Sequence, residues 1–154
     1  MIEVVINGKP LQTPGRQTLA VPSKAMADAI AAAVRALPGN LAILAISGTE
    51  LEAAGRAAGL PTYSEIFADR AYLPNGRLVP RARPDAMIHG AEQAADRLIR
   101  FLETGLMPVV GGDPIPLAAQ SICVHGDSPE AVAMATEIRA RLTAAGLPPT
   151  PFLK

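Results

Sequence analysis

The sequence has little cysteine, few aromatic residues and no net charge, and each shortage excludes a class of protein. Cys123 is the one cysteine among 154 residues, so it cannot form an internal disulfide. No residues in the sequence have the spacing that is typical of metal ligands, so we predict no bound metal. Lys and Arg (14) balance Asp and Glu (14). A nucleic-acid partner is therefore not expected, because binding phosphates needs a basic excess.

Long apolar runs are also missing. No run approaches the roughly 20 residues that cross a membrane, and the first residues have no basic segment typical of a signal peptide. What is present is a hydrophobic fraction of 49% with 18% charged residues and 3% aromatics, which indicates a core built from many small side chains. We therefore expect a soluble, cytoplasmic domain without a membrane partner.

Apolar segments and turn residues alternate in a pattern that predicts an α/β fold. The continuous apolar run Leu41–Ile46 is typical of a strand buried on both faces. Two more strands are predicted at 63–67 and 120–124, and helices at 24–37, 49–58, 91–103 and 128–145. A Pro-, Gly- and Arg-rich loop spans 69–89, and loops of that length are usually functional or disordered. Strands alternating with helices indicate parallel βα units.

The N-terminal segment differs from the rest. Asn7-Gly8 lies between two strand-like stretches, 3–6 and 9–12, and this pair favours a tight hairpin turn. A third short strand is predicted at 18–21. We therefore divide the chain into a β-hairpin segment, residues 1–24, and an α/β domain, residues 25–154.

Polar residues follow the predicted strands, and parallel βα folds collect functional groups at those carboxyl ends. His125 and Asp127 are the most suggestive pair, because a histidine titrates near neutral pH and a carboxylate two residues on could orient it. Alternatively, Asp127 caps the last helix and His125 bonds to the backbone. Glu65 stands in an apolar strand and needs a partner such as Arg70, since an unpaired buried carboxylate is costly.

Other polar residues allow two interpretations each. Asp69 and Arg70 could bind a substrate or form an ion pair that anchors the loop. Arg77, with two further arginines in the loop, could hold a carboxylate or phosphate, or could simply be solvated. Cys123 is expected to be an inert residue of the core.

Three ordered blocks resemble the LamB/YcsF family. They are residues 65–72 (EIFADRAY) with 76–81 (GRLVPR), residues 121–127 (SICVHGD) and residues 41–60. This is the family of the 5-oxoprolinase A subunit. With the B and C subunits as partners, that protein is implicated in the ATP-dependent hydrolysis of 5-oxoproline to L-glutamate. The resemblance implies a deformed β/α barrel and a small-molecule substrate. It also implies ATP as cofactor, which we expect the partner subunits to bind.

The resemblance supports the positions of individual site residues, while their roles are inferred from their chemistry. If the chain keeps the A-subunit role, Glu65, His125 and Asp127 are the catalytic candidates, and Asp69, Arg70 and Arg77 are the substrate-binding candidates. The family's acidic opening block and its K-P-H-G block have no counterpart here. We therefore expect only a partial barrel, corresponding to the C-terminal half of family members.

Residues 1–30 resemble a different family, the chaperone that assembles F1-ATPase. This second resemblance suggests a chimera. Two alternatives to an enzyme component follow. One is a non-catalytic, truncated or chimeric half-barrel that forms homo-oligomers through open sheet edges, which readily pair with another chain. The other is a fragment of the assembly chaperone.

Overall fold

A computed structural model describes residues 23–125 and 131–151, together with the backbone of four two-residue strands near the N-terminus. Asp127 lies outside the described residues, so its predicted role at the site stays a prediction.

The N-terminal strands form two antiparallel pairs. They are β1 (Ile2–Glu3), β2 (Val5–Ile6), β3 (Lys9–Pro10) and β4 (Ala20–Val21). β2 pairs with β3, and β1 pairs with β4. The predicted hairpin and third strand are confirmed in these pairings, while the Asn7-Gly8 turn itself falls outside the described residues.

The rest of the described chain alternates helices and strands, as predicted. The elements are α1 (Ser23–Ala36), β5 (Ile43–Ile46), α2 (Glu50–Ala57), β6 (Thr62–Phe67), α3 (Ala91–Thr104), β7 (Leu106–Met107), β8 (Ile115–Pro116), β9 (Ser121–Cys123) and α4 (Ala131–Ala144). β5, β6 and β9 form a sheet in that order, and β6 runs parallel to β9. The α/β class is confirmed. The antiparallel pair β7–β8 lies in a Gly- and Pro-rich stretch for which the sequence predicts no strand.

The chain divides into two compact units. The first comprises residues 1–45 and 49–62. Four of the five buried residues in the core cluster of its described part are alanines, as the composition indicates: Ala27, Ala31, Ile43, Ala45 and Ala54. Gly55 allows α2 to pack closely, because a Cβ there would lie 2.6 Å from Thr62 Oγ1. The sequence boundary predicted at residue 24 is a different division, and it stays a prediction.

The second unit comprises residues 46–48 and 63–154. One face of α3 is buried, and its apolar side chains recur at helical spacing: Ala94, Ala95, Leu98 and Phe101. They pack with Ile66 of β6 and with Ile138 of α4. α3 ends at Gly105, whose φ of 71° is the left-handed conformation that glycine adopts most readily. This packing fixes α3 within the same unit as β6 and β9.

The long loop between β6 and α3 is held by its own backbone hydrogen bonds. Ala71 N–H donates to the Ala86 carbonyl (3.0 Å), and Val79 N–H donates to the Ala71 carbonyl (2.9 Å). These three residues form a small buried cluster. Of the two alternatives for such a loop, the structure therefore favours an ordered segment that positions residues.

Candidate active site

The register of β6 and β9 creates one polar face at the end of the sheet. Glu65 is opposite Ser121, and Phe67 is opposite Cys123. Because side chains alternate between the two faces of a strand, residues two apart share a face. The next residues in that register are Asp69 and His125, and these two side chains meet.

Asp69 and His125 form the central pair of the site. His125 Nδ1 lies 2.9 and 2.8 Å from the two carboxylate oxygens of Asp69, and its backbone N–H donates to Oδ2 at 3.2 Å. Asp69 is 4% exposed, whereas the side chain of His125 is 19% exposed. Because a carboxylate accepts hydrogen bonds, we assign the proton of the neutral ring to Nδ1, which leaves a lone pair on Nε2.

The aromatic ring of Phe67 restrains the imidazole further. The two rings stack with centroids 5.3 Å apart and an angle of 21° between their planes. His125 is thus held by the Asp69 carboxylate at Nδ1, by the hydrogen bond from its backbone N–H to the same carboxylate, and by stacking on the Phe67 ring. This arrangement orients Nε2 as a proton acceptor or donor.

Glu65 and Arg70 do not form the predicted pair. Glu65 accepts a hydrogen bond from the Ser121 hydroxyl at 2.9 Å. Arg70 instead donates from Nη2 to the Val79 carbonyl at 2.7 Å and is 6% exposed. The prediction that Arg70 partners Glu65 is therefore wrong. The register explains why, because it places the short Ser121 side chain opposite Glu65.

Arg70 keeps an unused donor in this buried position. Its Nε has no hydrogen-bond partner among the described residues. Burial lowers the pKa of Arg70, and the positive charge of Arg81 lowers it further, while Asp69 opposes both. An arginine nevertheless stays protonated in proteins. Arg70 therefore keeps a buried positive charge within electrostatic range of Asp69.

Arg77 lies apart from this buried group. Its side chain is exposed, and its backbone belongs to a turn in which Leu73 N–H donates to the Arg77 carbonyl at 2.8 Å. The structure thus brings together Asp69 and His125, with Glu65 on the same face as Asp69. Arg70 is buried beside the loop carbonyl of Val79. Arg77 is on the loop surface, and its predicted role in substrate binding stays a prediction.

Two residues that support the site were missed in the sequence. Tyr72, fully buried, accepts a hydrogen bond from the Phe67 N–H at 2.9 Å. Arg97 of α3 donates to backbone carbonyls of the segment that carries Asp69. A signal for Arg97 existed, because position 97 falls between the buried positions 94, 95 and 98 of α3. A charge inside such a stripe indicates a specific partner.

Cys123 is half-buried on the polar face and not sealed in a core, contrary to expectation. Burial raises the pKa of its thiol, and the negative charges of Glu65 and Asp69 raise it further.

Because the thiolate is the nucleophile, iodoacetamide should alkylate native Cys123 several-fold more slowly than the same cysteine in the urea-unfolded chain. Glu65→Gln should speed the native reaction. Equal native and unfolded rates, unchanged by Glu65→Gln, would contradict this electrostatic account.

Metal and membrane features are both absent from the described part of the chain. In those residues, no group of three or more His, Cys, Asp or Glu side chains is arranged to hold a metal ion. Likewise, none of the helices within residues 23–125 and 131–151 is long and apolar enough to cross a membrane.

The fold and site define an α/β protein with a histidine–carboxylate pair at the end of parallel strands. The LamB/YcsF family matches residues 17–154, so the chain belongs to this family. Because the match begins at residue 17, residues 17–30 are shared between this match and the segment that resembles the assembly chaperone.

Relatives similar to this chain include 5-oxoprolinase A subunits and a lactam utilization protein. The 5-oxoprolinase A subunit of Neisseria meningitidis serogroup C is 44% identical over 128 residues, covering 83% of this chain and 52% of its own length. That of Gluconobacter oxydans is 46% identical over 123 residues, covering 80% and 48%. The crystal structure of a lactam utilization protein from Thermus thermophilus superposes with a TM-score of 0.73 at 34% identity, covering 82% of this chain and 51% of that one. The chain thus spans about half the length of these relatives.

Proposed function

We propose that this chain acts like the A subunit of 5-oxoprolinase, as one component in the ATP-dependent hydrolysis of 5-oxoproline to L-glutamate. The observation that carries the proposal is the buried Asp69 carboxylate bonded to His125 Nδ1 at 2.8 Å. The names of the similar proteins support the substrate class, because 5-oxoproline is a lactam. We further propose that the B and C subunits of 5-oxoprolinase are its partners, and that its fold is part of a deformed β/α barrel.

Opening a lactam needs two proton transfers. Water must lose a proton as it attacks the carbonyl carbon, and the ring nitrogen must gain one as the C–N bond breaks. His125 Nε2 suits both tasks, since the neutral ring can accept the first proton and the imidazolium can donate the second. Asp69 stabilises the imidazolium and fixes the tautomer. We assign Asp127, which follows His125 by two residues, and Glu65 to support this proton transfer.

The carboxylate of 5-oxoproline requires a positive partner. We assign Arg70 to this role because its Nε lacks a hydrogen-bond partner among the described residues and it neighbours Asp69. Arg77, exposed on its turn, is the second candidate. Guanidinium groups bind carboxylates well because their donors are arranged as a planar fork.

The most glycine-rich turn in the described part of this chain is not followed by a helix. Gly111-Gly112-Asp113 is its most glycine-rich turn, but the next element is the strand β8. A phosphate-binding loop uses the N-terminus of a helix that follows directly. We therefore propose that ATP binds to the partner subunits. We also propose a cytoplasmic location, since a reducing compartment keeps the Cys123 thiol free.

The test is ATP-dependent release of glutamate from 5-oxoproline by this chain mixed with the B and C subunits. A full-length A subunit from a relative serves as the positive control. We expect activity above background, and we expect Asp127→Asn to abolish it. No activity from a cooperatively folded sample, beside a working control, would contradict the proposal.

A second candidate function is a non-catalytic half-barrel that self-associates. In the described sheet, β5 and β9 are the outer strands, and Leu44 of β5 is 48% exposed. Outer strands with apolar side chains readily pair with another chain. Light scattering over a concentration series distinguishes this candidate, which requires the mass to rise with concentration. A constant monomer mass would contradict it.

A further inference from the structure

The backbone from Phe67 to Arg70 leaves the end of β6 and carries Asp69. A chain at this point has lost its regular sheet partners, yet its polar groups still need hydrogen bonds when buried. Two side chains from elsewhere in the same unit supply several of them, Arg97 from α3 and Tyr72 from the loop. Neither residue belongs to the candidate site predicted from the sequence.

Arg97 binds three carbonyls of this short segment. Its Nη1 donates to the Arg70 carbonyl at 2.9 Å, and its Nη2 donates to the carbonyls of Phe67 (2.7 Å) and Ala68 (2.9 Å). The Asp69 carbonyl accepts instead from the Ile88 N–H at 2.9 Å. Every carbonyl from Phe67 to Arg70 therefore has a partner, and Arg97 provides three of the four.

Two backbone N–H groups of the same segment also have hydrogen-bond partners. Phe67 N–H donates to the Tyr72 hydroxyl at 2.9 Å, and Ala68 N–H donates to the Cys123 carbonyl at 2.9 Å. The guanidinium carbon of Arg97 lies 5.8 Å from the centre of the Tyr72 ring, within reach of a cation–π interaction. Arg97 and Tyr72 thus contact each other as well as the segment.

The chemistry of Arg97 fits the task of holding this backbone. Its guanidinium forms no salt bridge among the described residues, although Asp69 is close enough for its negative charge to act on Arg97. A planar fork of donors can serve several carbonyls at fixed angles, which a lysine ammonium cannot do.

We propose that Arg97 and Tyr72 are positioning residues, which hold the Phe67–Arg70 backbone so that the Asp69 carboxylate faces Nδ1 of His125. They touch no reacting atom. They set the orientation of the Asp69 side chain, and that orientation determines which tautomer His125 adopts. The inference deepens the proposed function of the same site, but its central test needs neither substrate nor partner subunits.

The test is the 15N NMR spectrum of the two histidines, recorded well above the ordinary histidine pKa of about 6.5 so that both rings are neutral. His125 should be the Nδ1–H tautomer in the wild-type chain. Arg97→Met should shift it towards the Nε2–H tautomer, and Arg97→Lys should shift it less, since one donor group is retained. Arg100→Met, an exposed arginine of the same helix, is the matched control and should leave the spectrum unchanged.

A purely structural role would give a different result. Arg97→Met would then lower the melting temperature while the His125 tautomer stays as in the wild type, and this outcome would overturn the proposal. If Arg97→Met does not fold, Tyr72→Phe decides, because it keeps the ring and removes only the acceptor for the Phe67 N–H. A folded Tyr72→Phe chain should show a smaller shift in the same direction, and an unchanged tautomer would again overturn the proposal.

A kinetic measurement tests this inference separately from the proposed function. In the complex with the B and C subunits, Arg97→Lys should lower kcat by up to about 10²-fold with little change in KM, as expected for a misplaced catalytic group. An inactive wild-type complex contradicts the proposed function alone, because the tautomer of each variant is still measured. The positioning role alone is contradicted if three results occur together. The wild-type complex is active, Arg97→Lys leaves its kcat unchanged, and Arg97→Met leaves the His125 tautomer unchanged.

Discussion

Replacing Asp69 by asparagine should lower kcat of the reconstituted complex by about 10²–10⁴-fold, the range that a positioned acid–base group contributes. The carboxylate accepts the Nδ1–H of His125, whereas an amide can present its NH₂ group and favour the opposite tautomer. Nε2 would then carry a proton and could not act as a base. The substitution changes few atoms, so the chain should remain folded.

Asp113→Asn is the matched control for this prediction. Asp113 is an exposed aspartate of the same unit, and removing its charge should leave kcat unchanged. The measurement is initial-rate release of glutamate at saturating 5-oxoproline and ATP. An Asp69→Asn complex with wild-type kcat would show that the Asp69–His125 pair has no part in the chemistry.

The second large effect concerns stability. Leu98 of α3 is fully buried in the core that holds this helix against β6 and α4. Leu98→Ala removes buried methyl groups and leaves a cavity, so we expect a loss of about 2–5 kcal/mol in the free energy of unfolding. That loss is a large share of the roughly 5–15 kcal/mol that stabilises a typical domain.

Leu102→Ala provides the comparison on the same helix. Leu102 lies four residues further along and is 36% exposed, so its truncation should cost less than about 1 kcal/mol. Both values come from urea unfolding followed by circular dichroism. Equal losses for the two variants would contradict the packing of α3 described here.

The sequence predicted the order of elements well because their signals are local. The apolar run before Ser47 predicted a strand, and β5 occupies Ile43–Ile46. Parallel strands were inferred from alternation alone, and the β6–β9 pairing confirms them. The barrel implied by the resemblance stays a proposal, since the sheet of the described residues has three strands.

The partner of His125 shows where local reasoning ends. The sequence favours a carboxylate two residues away, Asp127, as this partner. The structure supplies Asp69, which is 56 residues away and reaches His125 through the strand register. The sequence did predict that polar groups gather at the strand ends. It could not predict which residues face each other, because register depends on packing of the whole unit.

Arg97 illustrates the same point for supporting residues. Its position in a buried stripe marked it as unusual, but its three carbonyl partners lie in a segment about 30 residues earlier. Backbone carbonyls carry no sequence signature, so no motif search identifies such contacts. Only the three-dimensional path of residues 67–70 reveals them.

The most direct test of the whole account is the 15N spectrum of His125 in the unmodified chain. His89, the other histidine, is exposed and serves as an internal reference, and His89→Gln assigns the signals. The account predicts the Nδ1–H tautomer for neutral His125 and a solvent-like mixture for His89. An Nε2–H tautomer at His125 would contradict it, because Asp69 would then not hold the ring and Nε2 would have no free lone pair.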